Sequence, residues 1–185
     1  MESIHSEFIN ENTIHHKIAH LDGILVAPGF GERGIEGKID AVRFARENKI
    51  PFLGICLGMQ MAVIEFARNV LQLKGANSTE MDPETQHPVI DLMEEQKDIT
   101  HKGGTMRLGA WDCHLTEGSL ISRIYGKADI KERHRHRFEY NNKYKDNLEN
   151  TWELNTGITP DTARVDVLEL KDHPVYIGAQ YNPEY

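Results

Sequence analysis

Gly54-Ile55-Cys56-Leu57-Gly58 places one thiol with a glycine two residues to either side. This is the nucleophile-elbow pattern, with cysteine where hydrolases of another fold carry serine. The backbone must bend sharply at such a point, and a Cβ at either glycine would crowd the neighbouring strand and helix. A helix beginning at Leu57 turns unpaired backbone N–H groups toward the sulfur and favours a thiolate. The chemistry that follows is acyl transfer through a covalent thioester. The competing reading is a small, buried, inert side chain, a common fate of unpaired cysteine.

Three further segments carry groups of the right type. Pro28-Gly29-Phe30-Gly31 can turn a backbone N–H toward a developing oxyanion, or it is a plain tight turn. Its glycines and Gly34 superficially match a dinucleotide fingerprint, but Pro28 precedes them and a long loop runs on to Gly37. In Arg133-His134-Arg135-His136-Arg137, strand alternation would put the arginines on one side and the histidines on the other. Arginine suits the bidentate clamping of a carboxylate. The alternatives are a solvated basic strand or a metal site at His134 and His136, for which no third ligand lies nearby. The tail Gly178-Ala179-Gln180-Tyr181-Asn182-Pro183-Glu184 reads as an apolar strand ending in polar residues.

These groups need elements to hold them. Gly23 to Ala27 is a short apolar run closed by Pro28-Gly29, the pattern of a strand buried on both faces. Lys38 to Asn48 carries Ile39, Val42 and Ala45 at helical spacing, and Ile50 to Ile55 is a second apolar run. Together they make a βαβ unit and imply a parallel sheet. Leu57 to Asn69 keeps Leu57, Met61 and Ile64 on one face, so a helix starts where the second strand ends and Cys56 sits on the turn. Residues 75–104 read as loops with short elements. Further strands are expected at Met106 to Cys113, Arg135 to Tyr140, Val165 to Leu170 and Val175 to Gln180.

A chain of 185 residues, 39% hydrophobic, has the size and composition of one globular domain. Its formal charge of −8 argues against a broad phosphate-binding surface, and so against a nucleic-acid partner. Two cysteines, Cys56 and Cys113, suit a reducing compartment where a free thiol is kept for chemistry. No apolar run reaches bilayer length, and Met1 to Glu11 lacks a basic start followed by an apolar stretch. The expected setting is therefore cytoplasmic, without a membrane partner.

In combination the motifs resemble the class I glutamine amidotransferases, in which a cysteine on an elbow works with histidine and glutamate from a His-Pro-Glu tail. Within that class the blocks GILVAPGFGERGIEGK, FLGICLGMQMAVIEFARNV, ANSTE, GGTMRLG, ERHRHRFEYN and GAQYNPEY resemble the CTP synthase family, in order and approximate spacing, from about Asp22 onward. The resemblance implies an α/β fold of flavodoxin-like architecture: a mostly parallel central sheet flanked by helices, with additional short strands. It also implies hydrolysis of L-glutamine to supply ammonia for ATP-dependent amination of UTP to CTP. By position, Cys56 is the expected nucleophile and Glu184 the third triad member. The amides of Gly29 and Leu57 are the expected oxyanion donors, and Gln60, Glu80 and Arg137 the expected glutamine ligands. Glu80 would meet the α-ammonium and Arg137 the α-carboxylate, with Phe30 packed beside the site. This domain is expected to need no metal or cofactor, whereas ATP, Mg and a GTP effector are implied for a full-length enzyme. That enzyme is expected to be a homotetramer carrying a separate amidoligase domain.

The match departs from the family at Asn182, which stands where the family has its histidine. A carboxamide cannot take a proton from Cys56 or return one to ammonia. Two alternatives follow: impaired turnover, or a catalytically weak or inactive domain that binds glutamine or supports assembly. Another histidine can be asked to substitute, and His173 is nearest in sequence, but it is expected at the far end of the last strand. The family domain is also expected to begin with a further strand and helix and to end with a further helix.

Overall fold

The computed structural model describes residues 1–92, 106–149 and 155–185. Three strands share parallel order, β1 (Ile24–Val26), β2 (Phe52–Ile55) and β10 (Tyr176–Ala179), with β2 between the other two. The expected βαβ unit is present: β1 leads through α2 (Ile35–Glu47) to β2, and α3 (Leu57–Asn69) follows at once. Helix α2 begins before the expected Lys38, because Gly34 in the left-handed region (φ 66°) caps it.

Beyond β10 the ladder is antiparallel, running through β9 (Val165–Glu169), β8 (Asn155–Ile158) and β5 (Arg107–Leu115) to β6 (Asp129–His136). The seven-stranded sheet is thus mixed, and the expected parallel order holds only for β1, β2 and β10. A small second sheet joins β3 (Asn77–Ser78), β4 (Pro88–Leu92) and β7 (Phe138–Tyr140). The single strand expected over Arg135 to Tyr140 is therefore two strands in two sheets, broken at Arg137. Of the loop segment expected over 75–104, residues 93–104 lie outside the described residues.

Two apolar clusters fix the layers. The larger joins α2 and α3 to one face of the parallel strands through residues such as Val42, Ala45, Met59, Val63, Phe52 and Tyr176. The smaller lies on the other face, where Ile177, Ala179 and Tyr181 meet Cys113, Leu115 and Ile130 beneath α4 (Leu120–Tyr125). Alternation along β10 thus sends Tyr176 and Gly178 toward α3 and the odd positions away from it. Among the described residues the other α-helices, α1 (Ile14–Ile18) and α5 (Lys145–Glu149), are single short turns.

Candidate active site

Cys56 is the only residue between β2 and α3, and its backbone is at φ 51°, ψ −102°. A non-glycine residue holds such a conformation only where its surroundings enforce it. Here they do. The Cys56 N–H donates to Ala179 O of β10 at 2.7 Å. A Cβ on Gly54 would come within 2.6 Å of the Gly58 carbonyl group, and one on Gly58 would collide with the Val26 carbonyl oxygen. Both elbow glycines are therefore there so that β1, β2 and α3 can approach backbone to backbone.

The thiol is 3% exposed, and both cysteines are free. Burial pushes the Cys56 thiol up to about 11, with the Glu184 and Glu80 carboxylates adding to the rise. The Leu57 N–H and the Gln180 side chain oppose the shift by donating to the sulfur. The helix start favours the thiolate in the expected direction, through the Leu57 N–H, but is outweighed. One helix N-terminus does not offset desolvation and two nearby carboxylates, so the sulfur rests protonated at neutral pH.

Because β10 lies parallel to β2, its tail leaves the sheet at the edge where Cys56 sits. Asn182 is 4% exposed. Its N–H is held by Arg133 O of β6 at 2.8 Å, and its Nδ2 donates to Glu184 Oε1 at 2.8 Å. Asn182 Oδ1 is buried without a hydrogen-bond partner. The carboxamide keeps a link to Glu184 of the kind an imidazole N–H makes, but its oxygen can only accept. His173 is not at this corner: it lies before β10, at the opposite end, against Ala45 O at 3.2 Å.

Of the other expected site residues, Leu57 and Glu80 act on the Cys56 sulfur. Gly29 packs on the first residue of α3, an added Cβ there lying 3.2 Å from Leu57 Cδ2. Gly31, at φ 75°, donates its N–H to Glu80 Oε1 at 3.2 Å, so Glu80 braces the glycine loop from the turn after β3. Phe30 is 61% exposed, so its ring is not packed into the protein as expected beside the site. Arg137 occupies the corner where β6 gives way to β7, half-buried, while Arg133 and Arg135 are exposed on the outer face of β6. The expected alternation therefore holds from Arg133 to His136 and stops there.

Gln60 is buried and already engaged. Its Nε2 donates to Phe138 O at 2.9 Å and to Gln180 Oε1 at 3.4 Å. Gln180 in turn donates from Nε2 to Cys56 Sγ at 3.6 Å. Sequence reasoning missed Gln180, although a signal was available: it lies in period two with Gly178, on the strand face that meets α3. The same carbonyl of Phe138 receives His136 Nδ1 at 3.0 Å, so His136 Nε2 accepts from His134 Nδ1 at 2.9 Å. The two histidines are thus hydrogen-bonded to each other, as part of a polar chain that ends at the sulfur. Both are held neutral, well below the ordinary imidazole range, by burial and then by the Arg107 charge.

A family model for glutamine amidotransferase class-I matches residues 2–185. The chain is 75% identical over 185 residues to the CTP synthase of Christiangramia forsetii, covering all of this chain and 34% of that one. It is 62% identical over 183 residues to the CTP synthase of Flavobacterium johnsoniae, covering 99% of this chain and 34% of the relative. It therefore spans about a third of the length of the curated relatives it matches. Among solved structures, the Trypanosoma brucei CTPS glutaminase domain with bound acivicin superposes with a TM-score of 0.89 at 36% identity, over 100% of this chain and 72% of that one. A glutamine amidotransferase from Thermotoga maritima shares the fold at a TM-score of 0.59 and 12% identity, over 89% of this chain and 57% of that one. Among the described residues no helix is long and apolar enough to cross a membrane. With the elbow and the tail at one sheet edge and the match running the length of the sequence, the chain belongs to the class-I glutamine amidotransferases, as a glutaminase domain of the CTP synthase kind.

Proposed function

We propose that this chain hydrolyses L-glutamine through a thioester at Cys56, with turnover limited by Asn182. The observation that carries the reading is the convergence on one sulfur of the elbow, the Gln180 amide and the Glu184 carboxylate. In the first step Cys56 Sγ bonds to the side-chain carbonyl carbon of glutamine, the Leu57 and Gly29 amides receive the oxyanion, and the carbon–nitrogen bond breaks. The thiol proton must reach the departing nitrogen so that ammonia leaves. Water then attacks the thioester, yielding glutamate and regenerating the thiol. Both proton transfers lack a base at position 182, and deacylation suffers most because the attacking water is itself a poor nucleophile. Arg137 would pair with the substrate α-carboxylate and Glu80 with its α-ammonium.

In the longer protein of which the relatives are examples, the ammonia would pass to an amidoligase domain that aminates UTP to CTP with ATP and Mg, under a GTP effector, in a homotetramer. Two free thiols support a reducing cytoplasmic setting.

Incubation with glutamine, followed by intact mass and by released ammonia, tests the reading. A glutamyl adduct on Cys56 that is absent from Cys56→Ser is expected, with ammonia released in a burst near one equivalent. The second reading, a glutamine-binding domain without chemistry, is favoured by the Asn182 carboxamide, which cannot act as a base, and by the protonated thiol. It predicts glutamine binding with no adduct and no ammonia.

A further inference from the structure

The Cys56 sulfur receives a side-chain hydrogen bond from a residue outside the Cys-His-Glu set. Gln180 is fully buried, and its Nε2 stands 3.6 Å from Sγ. A carboxamide can present either its oxygen or its nitrogen, so what fixes the orientation matters. Gln60 fixes it. The Gln60 Nε2 lies between two oxygens, Phe138 O at 2.9 Å and Gln180 Oε1 at 3.4 Å, and can only donate to both. With its oxygen thus occupied, Gln180 offers N–H to the sulfur. Phe138 O is itself pinned by His136 Nδ1, and His136 by His134. The chain of bonds joins β6, the first residue of β7, α3 and the residue that follows β10, and it runs from His134, whose Nε2 is buried without a partner, to the sulfur.

We propose that Gln180 is a donor to the reacting sulfur, and Gln60 the positioning residue that aims it, so that the thiolate has a permanent partner although position 182 offers no imidazolium. The proposal rests on the reading of Cys56 as nucleophile, and it deepens that reading. Among the described residues, the charged groups that bear on the sulfur, Glu184 from the tail and Glu80 from the loop after β3, oppose its ionisation. Among the described residues, the groups that favour it are the Leu57 N–H at the start of α3 and the Gln180 amide. A hydrogen bond to an anion is stronger than one to a neutral group, so the bond from Gln180 tightens as the proton leaves.

Ionisation of Cys56 is read directly by the rate of iodoacetamide alkylation at that peptide against pH, with the ultraviolet absorbance of the thiolate measured in parallel against Cys56→Ser. Gln180→Met keeps the shape and loses the donor. It should alkylate about tenfold more slowly at a given pH, the thiolate inflection moving up by about one unit. Gln60→Met touches nothing at the sulfur yet should shift the inflection in the same direction by a smaller amount. If Gln180→Met does not fold, Gln60→Met carries the test alone. A lowered melting temperature with both inflections unmoved would assign the two residues to packing and overturn the proposal. A shift in Gln180→Met with none in Gln60→Met would overturn the aiming role. The outcome is separable from that of the glutamine experiment. An adduct with no shift removes Gln180 and keeps the nucleophile, whereas a shift with no adduct keeps Gln180 as a thiol partner and removes the glutaminase.

Discussion

At Asn182 a buried carboxamide occupies the corner next to the elbow. Its Nδ2 bond to Glu184 at 2.8 Å preserves the arrangement into which an imidazole would fit, and its unpartnered Oδ1 marks where the second ring nitrogen would be needed. Asn182→His should therefore restore a base without rebuilding the corner, and steady-state ammonia release should rise about 10²–10⁴-fold. An unchanged rate would mean that the imidazole does not reach the sulfur. In that same background, Arg137→Ala should raise the glutamine concentration for half-maximal rate by roughly tenfold to a hundredfold while leaving kcat nearly intact, because a carboxylate clamp acts equally in ground and transition states. A fall in kcat with KM unchanged would take Arg137 out of substrate binding. Cys56 was legible from its own elbow motif, whereas Glu184 and Arg137 entered only by position in the family resemblance, since neither the tail nor the arginine block declares its chemistry alone. The ionisation of Cys56 was not legible. It depends on burial and on Glu80 and Glu184, which the chain brings near only through tertiary structure.

The elements that hold the elbow were the most readable part of the molecule, because their periodicity is strong and their glycines have one steric purpose. Helix α3 runs from Leu57 to Asn69 as its apolar spacing predicts. The break at Arg137 was hidden. His134 and His136 alternate with arginine as though one strand continued, and only the change of pairing partner, from β5 to β4, ends it. Helix α4 and strand β8 were also missed, being short and without a strong period. The steric argument yields its own prediction at Gly58, where an added methyl would run into the Val26 carbonyl. Either β1 or α3 must shift, so Gly58→Ala should cost about 1–3 kcal/mol or more, lowering the melting temperature by roughly 2–4 °C per kcal/mol. Cys56 should become more readily alkylated as the elbow opens. A variant with wild-type melting and wild-type thiol reactivity would show that the backbone approach at Val26 is not a constraint.

Across the molecule the two halves of the sheet divide the work: the parallel half carries the thiol and its tail, and the antiparallel half buries the polar groups that anchor them. Arg107 of β5 pairs with Asp166 of β9 at 2.7 Å with both side chains 1% exposed, and Thr159 hydrogen-bonds to both. The charge of Arg107 bears on His136, its neighbour across the strands, and on His134. Burial and that charge keep both imidazoles neutral in the fold, whereas in the unfolded chain they take up protons near pH 6.5. Their folded pKa values are depressed, so the contribution to stability is complete above about pH 6.5 and is lost as pH falls toward the folded values. Each imidazole can contribute a slope of up to about 1.4 kcal/mol per pH unit in that window. Melting temperature should therefore be level from neutral pH upward to mildly alkaline conditions and fall between about pH 6.5 and pH 5. The double variant His134→Gln, His136→Gln should start lower, having lost a buried hydrogen bond, and fall less steeply through the same window. Equal slopes in the two proteins would mean that protons enter elsewhere on acid unfolding, and that the buried pair anchors the corner without setting its pH range.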